Sequence, residues 1–216
     1  VRQQVEELLE AAARIVAELK VTQATGSRII ALTGGAGVGK TTLIHDLQQK
    51  LECTIVPEPA MQAIDMLNSA VGMEAQKAWR REFPAAFGDL IGRLAIAQEE
   101  RAANGPDAVV LFDRTVLDNI GYSLARGYAL PSYLTAEVVA QAAARLEHVL
   151  VLDQVASAED LEERNRATGR MTDPKQTESM SGTLEWVYVQ LNCPTQRLSA
   201  GSRGVDGKRV QMALKQ

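Results

Sequence analysis

The chain has little cysteine, few aromatic residues and no surplus of positive charge. Of 216 residues only Cys53 and Cys193 are cysteines, and they lie far apart without metal-ligand spacing. This argues against a disulfide scaffold or a zinc module and points to two buried or half-buried thiols in a reducing compartment. Lys and Arg number 23 against 27 Asp and Glu, giving a formal net charge of −4. That balance speaks against a general nucleic-acid or anionic-membrane binder, although basic residues can still gather around a phosphate. No apolar run is long enough to span a bilayer and the start lacks a signal-peptide pattern, so the expectation is no membrane partner and a cytoplasmic location. There is no internal repeat and no low-complexity tract.

What is present is a core-forming composition, 46% hydrophobic, and a chain length that suits one domain. The stretch everything else is arranged around runs from Arg28 to Thr42. An apolar run, Ile29-Ile30-Ala31-Leu32, leads into Gly34-Gly35-Ala36-Gly37-Val38-Gly39-Lys40-Thr41, which fits G-x-x-x-x-G-K-[ST] at every fixed position. This is a P-loop pattern. Glycines open backbone conformations closed to other residues and let N–H groups approach a phosphate. The helix that follows adds its unpaired N–H groups and the positive end of its dipole. A glycine-rich turn that binds nothing is the plainer reading, but context opposes it. Leu43, Leu47 and Leu51 fall on one stripe of the helix the loop would open. The motif therefore predicts nucleotide-triphosphate binding by Gly35, Ala36, Gly37, Val38, Gly39, Lys40, Thr41 and Thr42. Lys40 would reach the β- and γ-phosphates and the Thr41 hydroxyl would bind Mg²⁺.

Ahead of this motif, residues 1–22 read as an amphipathic helix to about Lys20 and the start of a linker. Residues 23–216 read as the nucleotide-binding domain. Further strands are expected at Cys53–Val56, Ala108–Phe112, Val149–Leu152 and, most weakly, Gln196–Ser199. Helices are expected at about Met61–Val71, Phe87–Asn104, Val116–Arg126, Ala136–Leu146, Ala158–Thr168, Thr183–Leu191 and Lys208–Leu214. Met171 to Ser181, polar and without period, reads as a mobile surface segment. Alternating strands and helices, with continuous apolar strand runs, imply an α/β fold: a doubly wound, mostly parallel five-stranded sheet flanked by helices.

In such sheets ligands bind beyond the carboxyl ends of the strands. Asp113 ends an apolar strand as a Mg²⁺-associated acid would, but its neighbour is Arg114. The Glu with which an AAA+ ATPase activates water is absent from that position. A GTPase reading fails too, since no D-x-x-G follows a strand and no N-K-x-D supplies guanine recognition. Glu58 lies between Pro57 and Pro59, which fix the backbone around it. It is either a surface Glu in a proline turn or a general base for a substrate hydroxyl, and beside a P-loop the base is the stronger reading.

These residues resemble the P-loop nucleoside and nucleotide kinases, and most of all the small kinase-like ATPase domains related to ribosylnicotinamide kinase. Val56-Pro57-Glu58-Pro59 is similar to the Glu-Pro that carries the base in deoxynucleoside kinases. Asp113-Arg114 is similar to the Asp-Arg of thymidylate kinases. The likeness implies that Asp113 holds Mg²⁺, directly or through water, and that Arg114 contacts the phosphoryl group or the attacking oxygen. It also implies an arginine-bearing lid after the fourth strand, to which Arg164, Arg166 and Arg170 are the candidates. Arg170 is best placed for catalysis and Arg166 for nucleotide contact, while the plainer account makes all three helix-surface ion pairs. Asp118 binds a substrate hydroxyl, orients Arg114, or is a solvated helix carboxylate. Arg93 and Gln98 sit where such kinases carry substrate contacts, though a surface Arg and Gln are commoner. Ala200-Gly201-Ser202 falls where they place the adenine loop. The aromatic-rich pocket of deoxynucleoside kinases is missing; Trp79, Phe83, Phe87, Tyr122 and Tyr128 are the nearest candidates.

The reading that follows is an ATP- and Mg²⁺-dependent phosphotransferase acting on a hydroxyl or phosphate of a small nucleoside- or nucleotide-like acceptor. Two other readings stand beside it. One is a nucleotide-dependent ATPase or switch acting on a protein partner, the other a toxin-type small-molecule kinase.

Overall fold

Ile29, Ala31 and Leu32 are all nearly or fully buried, and a strand apolar on both faces has to run through the middle of a covered sheet. The structure, a computed structural model, describes residues 1–22, 28–105, 108–153, 163, 166–167 and 174–198. In it β1 (Arg28–Thr33) is the central strand. It is joined by β2 (Thr54–Val56), β3 (Val109–Asp113), β4 (Leu146–Leu152) and β5 (Thr195–Leu198). The order across the sheet is β2-β3-β1-β4-β5 and every pairing is parallel. Around it lie α1 (Arg2–Thr22), α2 (Lys40–Gln48), α3 (Pro59–Val71), α4 (Met73–Glu82), α5 (Pro84–Ala103), α6 (Asp118–Arg126), α7 (Ala136–Arg145) and α8 (Pro174–Gln190).

Strand alternation divides the core in two. Ala31, Val110, Phe112, Val149 and Val151 face one layer, where α1 buries Val5, Leu9, Ala12 and Val16 beside residues of α7 and α8. Leu32, Leu111, Leu150 and Leu152 face the other, against Leu43, Ile44 and Leu47 of α2. The N-terminal helix is thus packed onto the core along its apolar stripe. Both cysteines are free thiols, Cys193 buried and Cys53 half-buried. Among the described residues no helix is long and apolar enough to cross a membrane.

Two elements depart from the sequence reading. Helix α4 was not expected, because Glu74-Ala75-Gln76-Lys77-Ala78-Trp79-Arg80-Arg81 has no apolar stripe; its buried positions are Gln76 and Arg80. The polar stretch read as mobile is helical from Pro174 onward, a residue suited to a first turn, and Met180 and Ser181 are buried. A helix face that meets polar backbone rather than core shows no hydrophobic period, which is why this one was missed. The expected helices at Ala158–Thr168 and Lys208–Leu214 lie wholly or largely outside the described residues.

Candidate active site

The register places Leu32 of β1 opposite Asp113 of β3, and Thr33 opposite Val151 of β4, so three strands end side by side. The loop between β1 and α2 sits on that rim. Gly34 has φ +134°, and a Cβ there would lie 2.4 Å from the carbonyl oxygen of Leu152, so the position admits only glycine. Gly37 and Gly39 also have positive φ. Lys40 Nζ is buried and donates to the carbonyls of Gly34 (3.2 Å) and Gly35 (2.8 Å), which brings the ammonium back over its own loop. The Gly35 N–H donates to Ser181 Oγ (3.0 Å), and Ser181 Oγ donates to the Leu152 carbonyl (2.8 Å). Gly35 to Gly39 form the loop, and Lys40 to Thr42 the first turn of α2.

Beside the loop, Thr41 Oγ1 donates to Asp113 Oδ2 (3.2 Å). The other oxygen, Asp113 Oδ1, is buried and has no hydrogen-bond partner among the described residues. Burial pushes the Asp113 carboxyl above the usual range, while Lys40 pulls it back down. A hydroxyl and an unsatisfied carboxylate oxygen are the hard donors that Mg²⁺ takes, so these two residues fit that ion.

Arg114 leaves β3 in the left-handed region, φ +76°. For a non-glycine residue this is costly, on the order of 1–3 kcal/mol, and persists only where surroundings enforce it. The enforcing contacts are identifiable. The Arg114 N–H donates to the Leu32 carbonyl (3.0 Å), the Thr115 N–H donates to Asp118 Oδ2 (3.1 Å), and the Leu117 N–H donates to Thr115 Oγ1 (3.1 Å). The turn swings the guanidinium toward β2, where Nε donates to Glu58 Oε1 at 3.0 Å, both side chains over nine-tenths buried. Asp118 Oδ2 lies 4.0 Å from Arg114 Nη1. The two terminal nitrogens make no hydrogen bond among the described residues. Burial works against the charged guanidinium, yet Tyr122, Glu58, Asp118 and Asp113 around it hold it above its ordinary value. Asp118 is not a solvated helix carboxylate: it is buried, accepts from Thr33 Oγ1, and has Tyr188 Oη at 3.4 Å. Burial raises its own titration as well.

Glu58 and Arg114 lie on the wall of a cavity of about 680 Å³, which reaches Ala36 of the phosphate loop at one end. Most of its remaining wall comes from α3, α4, α5 and α6, including Phe87 and Tyr122, with Tyr128 and Pro131 from the loop after α6 and Met180 from α8. The volume falls in the range of small-molecule sites. Trp79 and Phe83 pack against each other with rings tilted by 44°, centroids 6.1 Å apart, and do not line the cavity. Nor do Arg93, exposed and paired with Asp89 at 2.7 Å, and Gln98, bonded to Gln62 at 2.7 Å.

The structure thus gathers Lys40, Thr41, Glu58, Asp113 and Arg114. Arg166 is described and exposed, while Arg164, Arg170 and Ala200-Gly201-Ser202 lie outside the described residues. Sequence reasoning missed Ser181, which lies in the polar stretch without a period. It also missed Arg80, Arg81 and Arg126, which belong to no motif and meet at the cavity only through the fold.

In fold the chain is similar to the structure of deoxyadenosine kinase from M. mycoides with bound dATP. The TM-score is 0.58 and the identity 18%, over 87% of this chain and 98% of that one. The two chains share a fold. No curated protein matches the chain. A family model described as an AAA domain, AAA_28, matches residues 29–204, from the central strand past the last one, and the chain belongs to that family.

Proposed function

We propose that the chain is an ATP-dependent phosphotransferase that moves the γ-phosphate to a hydroxyl of a small acceptor. The observation that carries this reading is the buried Glu58–Arg114 pair at 3.0 Å, on the wall of a cavity that opens onto the phosphate loop. A switch acting on a protein partner has no need of such a cavity.

The loop amides from Gly35 to Thr42 and the Lys40 ammonium bind the phosphates. Thr41 and Asp113 would hold Mg²⁺, which when bound offsets phosphate charge and orients the transferring group. Glu58 takes the proton of the acceptor hydroxyl as its oxygen bonds to the γ-phosphorus. The bond from that phosphorus to the β,γ-bridging oxygen breaks and ADP leaves. Arg114 faces the transferring group with its terminal nitrogens, which make no hydrogen bond among the described residues, where charge develops in the transition state. Asp118 holds Arg114 in place. The lid expected after β4, with Arg166 and Arg170, would exclude water from the transfer.

Glu58→Gln tests the reading. It should leave binding of a non-hydrolysable ATP analogue intact and lower turnover about 10²–10⁴-fold, the usual size of a general-base contribution. An unchanged rate would remove the base role.

A further inference from the structure

Resting on that phosphotransferase reading, the cavity wall bears on what the acceptor is. A neutral nucleoside would call for open aromatic faces to stack its base. Here two of the three rings in the wall, Phe87 and Tyr122, carry guanidinium groups, and the third, Tyr128, is exposed at the rim. The Arg80 guanidinium lies over the Phe87 ring at 4.6 Å from its centre, and the Tyr122 ring carries Arg114 at 5.1 Å and Arg126 at 5.3 Å. A guanidinium laid on a ring keeps its donating edge in its own plane, where it meets oxyanions. Arg81 lines the same wall. The two carboxylates of the wall, Glu58 and Asp118, both face Arg114. In a chain of net charge −4, a cavity with four arginines and two carboxylates is positive against the trend of the molecule.

We propose that the acceptor carries a phosphate of its own, held by the Arg81 and Arg126 side of the cavity while its hydroxyl faces Glu58. The acceptor class is then a phosphorylated sugar or nucleoside monophosphate. The ring-stacked arginines read charge in place of a nucleobase face.

The test is calorimetric titration of the chain already saturated with a non-hydrolysable ATP analogue and Mg²⁺. The probes are neutral and phosphorylated pairs: ribose and ribose 5-phosphate, adenosine and its 5′-monophosphate, cytidine and its 5′-monophosphate. In at least one pair the phosphorylated member should bind ten-fold or more tighter, with an advantage that shrinks in raised salt. Arg81→Gln and Arg126→Gln, both at exposed positions, should each reduce that advantage several-fold and leave the neutral member's affinity unchanged. Equal or tighter binding of the neutral member in every pair, no binding of any probe, or a preference that survives both substitutions would overturn the proposal. If the parent chain fails to bind the ATP analogue itself, the phosphotransferase reading falls first and takes this one with it.

Discussion

The two halves of the site are made of different material. The phosphate side is backbone: three glycines with positive φ, carbonyls that hold Lys40, and amides on the rim of three strands. The cavity side is side chains, carried mostly on helices and arranged in part as guanidinium groups on rings. A backbone cradle of this kind recognises any polyphosphate. A wall of side chains can be rebuilt residue by residue without disturbing the sheet, and on the proposed reading it selects the acceptor. Arg114 joins the halves, since its strained turn belongs to the strand rim and its guanidinium to the cavity.

A matched pair of glycine substitutions would break this comparison if it is wrong. Gly34→Ala drives a Cβ to 2.4 Å from the Leu152 carbonyl at φ +134°. The loop must move, at a cost of about 1–3 kcal/mol or more, and binding of an ATP analogue should fall by at least about 100-fold, the loss expected when aligned phosphate donors are displaced. Gly88→Ala, in α5 on the cavity wall, meets nothing within 4 Å. It should keep ATP-analogue binding and raise stability by up to about 1 kcal/mol, the usual gain of Ala over Gly in a helix. Calorimetry and thermal melts read both variants. Equal damage from the two would mean that the phosphate side is no more exacting than the wall.

A second prediction sharpens the contrast through pH. Glu99 on α5 is buried and accepts the Val116 N–H at 2.6 Å, bracing the turn after Arg114. Burial raises its carboxyl from 4.5 to about 7, against the pull of that N–H and of Arg145. Between those values the folded chain keeps a proton that the unfolded chain has released. Folding binds a proton there, and stability is lost as pH rises through about 7. Glu99→Gln removes this dependence while still accepting from Val116. Relative to the parent, the variant should gain about 3 kcal/mol in denaturant unfolding between pH 4.5 and pH 8. A difference that stays flat with pH would mean that Glu99 is ionised in the fold.

The same division explains what the sequence could tell. Gly34 to Thr41, Asp113 and Glu58 were legible because each is bound to a strand end or a loop by local chain geometry, and local geometry leaves a spacing. Arg80, Arg81 and Arg126 were not, since they come from separate helices that only the finished fold brings around one cavity. The thin aromatic content argues against a base-stacking pocket. The use made of Phe87 and Tyr122 as shelves for arginine needed three dimensions. Helix α4 escaped because it buries Gln76 and Arg80 rather than apolar residues. The start of α8 escaped because its buried Ser181 faces a loop.

Ser181 gives the smallest effect and the narrowest test, because it is a side chain doing a job on the backbone side. Its hydroxyl accepts from the Gly35 N–H and donates to the Leu152 carbonyl, tying the phosphate loop to the end of β4 from helix α8. Ser181→Ala takes away the partner of a buried donor and of a buried acceptor at once. The expected loss is about 1–2 kcal/mol in stability. ATP-analogue affinity should weaken only a few-fold, since Gly34 still fixes where the loop begins. Ser181→Cys, a weaker donor and acceptor of similar shape, should fall between parent and alanine. If Ser181→Ala instead matched Gly34→Ala in lost affinity, the loop would be held by a helix side chain as much as by its glycines, and the cradle could no longer be regarded as backbone alone.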